Sequence, residues 1–482
     1  MLTPTPAEIA AIAPELILAV TAGLVLVIEA FAPGLRRYLS GLSMLAIAGA
    51  IWARLSLDLP GSIWAGMLQI DQLTAFVDTY ILIAAFFAVW MAGPFMRRNA
   101  ADCGEFYALV LFATIGSMIM ACSVNLLTIF LGLELLSIPL YALNAFLRRH
   151  EVSVEAGLKY FVVGAFASGF VAYGMALLYG ASASTNLVDI GRQVAEIGSL
   201  NPLAVVGFAM VAGGLAFKLA LVPCHAWAPD VYQGSPTPVT AFLSVVPKGA
   251  ALIVLLRMVE GMDLLRISPR WLLVASIVAV ASQTFGNVVA IVQRDIKRML
   301  AYSGIAHMGY ALVAVIVGGA DGGAAVLVYL AAYTLMNMGA FACIAQLSER
   351  EDRPHLISDL SGQGYNRPVA ALALTISLFA LSGIPPFIGF TAKFVVFRAA
   401  INGGFVWLAV IGVINSLISV FYYVRVIYVL YMRPLPDRRP DYGFYISICA
   451  AASVAALGTL LLGIYPTAIL AAAQNAILCL AR

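Results

Sequence analysis

The stretch GGLAFKLALVPCHAWAPDVYQGSPTP, Gly213 to Pro238, decides the fold. It begins as an apolar helix, carries Lys218 among hydrophobic residues, and meets Pro223 five residues later. Proline removes a backbone donor and interrupts the helical ladder. In hydrocarbon the freed carbonyls must find partners in protein or water. An interrupted apolar helix beside a lysine therefore predicts a hydrated pocket inside a membrane protein. A second stretch, LFALSGIPPFIGFTAKF from Leu378 to Phe394, repeats the pattern, with Gly383, Pro385 and Pro386 just before Lys393.

The chain around these stretches agrees with a lipid setting. Its 482 residues are 62% hydrophobic and 11% charged, with a mean hydropathy of +0.97. Globular domains are nearer half apolar and about a quarter charged, so a water-soluble enzyme is excluded. The net charge is only +3, with basic residues scattered in pairs, which argues against nucleic acid as a partner. Cys103, Cys122, Cys224, Cys343, Cys449 and Cys479 lie far apart, without a CxxC pair or a Cys/His cluster. Haem, iron–sulfur and zinc centres are not expected in this chain. Neither a Walker motif nor a GxGxxG after a strand is present, so any energy source is external. The first apolar stretch, Pro14 to Phe31, lacks a basic leader and a small-residue cleavage site and reads as a retained span.

Windows of about 20 apolar residues predict an all-α polytopic protein of fourteen transmembrane helices. They fall near 12–32, 38–57, 71–96, 106–122, 124–147, 154–180, 202–230, 237–260, 270–293, 297–318, 322–347, 368–400, 404–431 and 442–468. Loops after odd-numbered helices hold fifteen Lys and Arg, including Arg97, Arg98 and Lys297, against five on the other side, including Arg54. The positive-inside rule then makes the odd loops cytoplasmic and places both termini outside.

Lysine usage is the most informative departure. Of five lysines, Lys159, Lys218, Lys248 and Lys393 fall inside spans, whereas 22 arginines do nearly all the loop work. A lysine at a helix centre costs about 2.5–3.5 kcal/mol on insertion scales, so something must offset the set. At about 1.5 Å per residue, Lys248 lies about 15 Å from Pro238 and about 18 Å from Glu260, near mid-depth. Glu134 is similarly central in helix 5, Lys159 lies nearer the cytoplasmic end of helix 6, and a row at one depth follows. Arginine cannot release its proton in a protein, whereas burial lowers a lysine pKa into a range where it loads and unloads. Lysines fit a proton relay.

The two halves of the chain echo each other. Tyr141 and Tyr310 are offset by 169 residues, Lys248 and Ser416 by 168, Arg257 and Arg425 by 168, and Pro223 and Pro385 by 162. Together these predict two five-helix repeats, helices 4–8 and 9–13, with helices 7 and 12 broken. An odd-numbered unit must insert with opposite topology, as inverted halves. The expected division is 1–105 for three leading helices, 106–265 and 266–435 for the repeats, and 436–482 for the last helix and tail. In this alignment the second half loses most charges but keeps His307 and gains Lys393, so Lys248 and His307 link the halves.

The run Phe217 to Ala250, with GLELLSIPLYAL around Glu134, YSGIAHMGYAL around His307 and SGIPPFIGFTAKF before Phe394, resembles the antiporter-like subunits of respiratory complex I. Among them the chain is most similar to the subunit N type: it is too short for the lateral helix of subunit L, and Lys393 departs from the glutamate usual in subunit M. The resemblance implies a proton-pumping module in the membrane arm of NADH:quinone oxidoreductase, in a bacterial inner membrane. It implies a Glu134–Lys218 pair, relay roles for Lys159, Lys248 and Lys393, and neighbours that include subunit M and small membrane subunits. NAD, FMN, iron–sulfur clusters and quinone would belong to partner subunits.

In the relay so expected, Glu134 tunes Lys218, which passes its proton to Lys248, then through water and His307 to Lys393. His225 reads equally as a proton-loading group at the helix 7 break or as a packed imidazole. His150 and His355 read as solvated, Asp78 and Glu29 as interfacial, Asp230 as a cap of the helix 7–8 loop, and buried tyrosines as packing. A multi-subunit cation/proton antiporter, a proton-pumping membrane hydrogenase and a purely structural scaffold are the competing readings.

Overall fold

A computed structural model describes residues 5–196, 201–262, 269–347, 356–435 and 445–477. His355 and Cys479 lie outside these segments. All fourteen spans are present: α1 (Ala13–Phe31), α2 (Leu39–Ser56), α3 (Gln72–Arg98), α4 (Gly104–Cys122), α5 (Leu126–Asn144), α6 (Glu151–Ser182), α7a (Pro202–Leu219) with α7b (Trp227–Gly234), α8 (Thr237–Gly261), α9 (Pro269–Val292), α10 (Ile296–Val317), α11 (Gly319–Gln346), α12a (Pro368–Ser382) with α12b (Ile388–Asn402), α13 (Val406–Met432) and α14 (Ile446–Ile464). Among the described residues, thirteen helices are individually long and apolar enough to cross a membrane. The remaining span, α12, is divided into two fifteen-residue halves. A short antiparallel hairpin, β1 (Gly61–Ile63) and β2 (Leu68–Ile70), joins α2 to α3 and marks the hairpin face of the bundle.

Depth in the bundle follows sequence character. Helix α8 is apolar or small on every side and is buried along its whole length, while α10 and α11 are nearly so. A helix apolar all round belongs in an interior or in lipid; here the central three take the interior, and α1, α2 and α14 turn most of their surface outward. Small residues set the closest approaches. A Cβ on Gly116 of α4 would come within 2.3 Å of Leu136 N, and one on Gly132 of α5 within 2.6 Å of Met120 N, so these helices touch backbone to backbone.

The predicted repeat is visible in the hydrogen bonding. Asn125 caps the start of α5 and bridges to Asn186, and 170 residues on Asp295 caps α10 and bridges to Leu356. Arg257 Nε donates to Ala121 O at the end of α4, and its repeat mate Arg425 donates to Ile291 O and Gln293 O at the end of α9. The same arginine satisfies the same orphaned helix terminus in each half. Five helices separate each pair, so equivalent caps lie on opposite faces.

Several charges sit elsewhere than their position in a hydropathy window implies. Arg54, counted as a loop residue, is buried in the last turn of α2, and Lys297, counted likewise, is buried at the start of α10 with Nζ 3.0 Å from Ser235 O. Moving both leaves the loop bias in place. Asp78 is wholly buried rather than interfacial. Glu29 binds Arg36 and accepts from Gly104 N at 2.9 Å, which holds the start of α4.

Candidate functional site: buried lysines of the helix bundle

Lys218, Lys248, His307 and Lys393 are 2%, 1%, 2% and 4% exposed. Each owes its place to a broken or central helix.

Helix α7a ends one residue after Lys218, Ala220 takes a left-handed conformation (φ 55°), and the chain resumes as α7b after Pro223. Lys218 Nζ donates to Ser137 Oγ of α5 at 2.6 Å and faces the rings of Tyr141 and Tyr160 at 5.6 and 5.4 Å. Among the described residues no ion pair joins Lys218 to Glu134, and Glu134 Oε1 is buried without a hydrogen-bond partner. Residues three apart share a helix face, so Ser137 and Glu134 present alternative acceptors to one ammonium, and the serine holds it here.

Lys248, on α8, meets no hydrogen-bond partner among the described residues and lies 5.4 Å from the Tyr232 ring. Its side chain has room because Gly304 of α10 lacks a Cβ, which would sit 3.0 Å from both Lys248 Nζ and Tyr333 Oη. Between Lys218 and Lys248 lie Tyr160, Trp227 and Tyr232, with the Tyr160 and Trp227 rings 4.7 Å apart and both tyrosine hydroxyls buried without partners.

His307 lies on the same helix, α10, three residues past Gly304. Its Nδ1 lies 2.7 Å from Tyr329 Oη and its Nε2 3.3 Å from Tyr423 Oη, and Tyr423 also meets Ser303 Oγ. Farther along, Asn287 donates to Tyr310 Oη and accepts from Tyr422 Oη, both at 3.0 Å. The Tyr310 ring lies 5.1 Å from Lys393 Nζ. Lys393 itself donates to Ser382 O and to Ser416 Oγ, each at 2.8 Å. Ser382 ends α12a, where Gly383 turns left-handed (φ 85°). The ammonium thus sits on the carbonyl end of a half-helix, the end that favours a cation.

Two expected members stand apart. Lys159 is not buried: its side chain is 43% exposed and pairs with Glu155 at 2.7 Å and Asp230 at 2.9 Å. It lies on the outward face of α6, beside an open cavity of about 540 Å³ lined by Phe166, Phe217, Pro223 and Trp227. Asp230 joins Lys159 to Arg298 at 2.5 Å and caps no helix. His225 packs edge-on against Phe285 of α9, with ring centres 4.6 Å apart, and no polar contact joins it to the lysines. The structure brings together Lys218, Lys248, His307 and Lys393, with Glu134 at the edge. Sequence reading missed Ser137, Ser416, Asn287 and the tyrosines, because each polar group among apolar neighbours reads as packing until its partner is known. Among the described residues, no group of three or more His, Cys, Asp or Glu is placed to hold a metal ion.

A buried lysine row along inverted five-helix halves defines a class. Residues 123–419 match the family described as NADH:quinone oxidoreductase/Mrp antiporter, transmembrane. The chain is 41% identical over 469 residues to the NADH-quinone oxidoreductase subunit N of Trichlorobacter lovleyi, covering 97% of this chain and 96% of that one. It superposes on a chain of respiratory complex I from Thermus thermophilus with a TM-score of 0.81 and 32% identity, covering 96% of this chain and 100% of that one. A chain of the Mrp complex from Dietzia sp. shares the fold, with a TM-score of 0.83 at 22% identity, covering 98% of this chain and 97% of that one. The chain belongs to the NADH-quinone oxidoreductase subunit N family.

Proposed function

We propose that this chain carries protons through the membrane arm of a proton-pumping NADH:quinone oxidoreductase, along Lys218, Lys248, His307 and Lys393, with Glu134 as the tuning carboxylate. The carrying observation is that three ammonium groups and an imidazole are buried along the joined halves, with Lys218 and Lys393 each at a helix break. Static pairing would favour carboxylate partners. Instead Lys218 rests on a hydroxyl, Lys393 on a carbonyl and a hydroxyl, and Lys248 on a ring face.

Lys218 has two alternative acceptors on α5. Held by Glu134 it keeps its proton, because a nearby carboxylate favours the charged form; held by Ser137 it is ready to pass it on. The hydroxyls of Tyr160 and Tyr232 line the way to Lys248. His307 then connects α8 to Tyr329 and Tyr423, and Lys393 receives the proton beside the α12 break. Electron transfer from NADH to quinone in other subunits supplies the energy. This chain is a non-redox subunit, and NAD, FMN, iron–sulfur clusters and quinone reside in its partners. Its neighbours are subunit M and small membrane subunits. It is a multi-pass protein of the bacterial inner membrane, and the loop charge bias supports a periplasmic hairpin face with both termini. The functional halves are 106–265 and 266–435, preceded by 1–105 and followed by 436–482. Lys159 and His225 lie to the side of this path and act through their contacts with α7b and α9.

Glu134→Gln and Lys218→Met in the intact complex test this reading. Assembly preserved with protons moved per electron pair reduced supports it; assembly lost, with normal pumping in whatever complex forms, would make the charges a scaffold.

A further inference from the structure

A second set of buried charges lies apart from the lysine row, where α1, α2, α3 and α8 meet near the hairpin face. Arg54 of α2 is its centre: Nη2 is 2.7 Å from Glu15 Oε1 of α1, Nε is 2.8 Å from Asp78 Oδ2 of α3, and Nη1 donates to Ala11 O at 2.9 Å. Arg257 of α8 lies 3.6 Å from Asp71 Oδ1 and donates to Thr74 Oγ1 at 3.0 Å. Cys122, at the end of α4, and Tyr80 complete the titratable groups facing Asp78. Glu15, Arg54, Asp71, Asp78 and Arg257 are all buried.

Three carboxylates here face two guanidinium groups, which leaves one negative charge if every carboxyl is ionised. Arginine holds its proton, and a buried uncompensated charge is strongly disfavoured, so neutrality requires one proton on a carboxylate. Asp71 Oδ1 is already engaged, since it caps α3 by accepting from Thr74 N at 2.8 Å and faces Arg257, while its Oδ2 is buried without a hydrogen-bond partner. The other two share one arginine. Asp78 Oδ1 and Glu15 Oε2 are both buried without a hydrogen-bond partner. Tyr80, two residues after Asp78 on α3, has its hydroxyl buried without a partner, and a Cβ on Gly249, which follows Lys248, would come within 2.5 Å of it.

We propose that Asp78 and Glu15, around Arg54, form a second proton-holding site that carries one exchangeable proton between the hairpin face and Lys248. The charge balance of the site stands alone, whereas its use in transport rests on the proton-path reading above. Infrared difference spectra of the intact complex in H2O and D2O, pH-jumped across the titration of the site, read the proton directly. A deuterium-sensitive protonated-carboxyl band is expected, lost in Asp78→Asn or in Glu15→Gln, with fewer protons moved per electron pair in the variant that loses it. Should Asp78→Asn fail to assemble, Asp78→Glu is expected to shift the band. Assembled variants whose carboxyl bands match the parent overturn the site. A lost band with normal pumping in Lys218→Met would instead overturn the proton path and leave the site standing.

Discussion

Lys218 Nζ lies 2.6 Å from Ser137 Oγ, one helical turn from Glu134, whose Oε1 is buried without a partner. A single ammonium thus has two neighbours on one face of α5, of which only one is charged. This relationship makes the lysine adjustable rather than locked.

Removing the hydroxyl should tip the balance. In Ser137→Ala the ammonium loses its hydroxyl acceptor on α5 and keeps Glu134 as the charged one. Hydrogen bonds to charged groups contribute about 1.5–3 kcal/mol, so proton translocation should slow by about ten- to a hundredfold while the complex assembles. Proton uptake by vesicles, recorded beside NADH oxidation, checks this.

The space around Lys248 is set by one missing Cβ. Gly304→Ala would place a methyl 3.0 Å from Lys248 Nζ and Tyr333 Oη, both ends of side chains able to move. Stability should fall by about 1 kcal/mol, at the low end for overpacking, while translocation falls several-fold. Thermal unfolding of the complex and vesicle pumping measure the two effects separately.

At the α12 break the lysine also has a structural duty. Lys393→Ala leaves Ser382 O with only the distant Ser416 hydroxyl at 3.5 Å. An unsatisfied buried polar group costs about 1–3 kcal/mol, so this variant should unfold at lower temperature than Ser416→Ala, which keeps the lysine on the carbonyl.

Lys159 offers the contrasting case. Its partners Glu155 and Asp230 are themselves exposed by more than a third, and such surface pairs contribute about 0–1 kcal/mol. Lys159→Gln should retain most translocation, in contrast to Lys218→Met. Equal losses in both variants would place Lys159 in the path.

How far the sequence could be read follows from what each signal encodes. Fourteen spans were legible because hydropathy and helix length are one-dimensional properties, and the breaks because Pro223, Pro385 and Pro386 announce themselves. That lysine and not arginine occupies the spans was equally plain. Direction around a helix was not: Lys159 reads as intramembrane by depth, yet Glu155 four residues earlier marks its outward, paired face. Arg54 and Asp78 each read as a lone charge near a span end, and only the meeting of α1, α2 and α3 joins them. The tyrosines around His307 come from α11 and α13, and no local pattern predicts which hydroxyls will converge.

Replacing Lys393 by arginine separates charge from proton release, because arginine can keep a cation on Ser382 O but cannot give up its proton. The direct measurement is protons moved per electron pair by Lys393→Arg in the complex reconstituted into vesicles. A stable complex that oxidises NADH yet moves fewer protons is the predicted result; an unchanged ratio would contradict a relay built on releasable lysine protons.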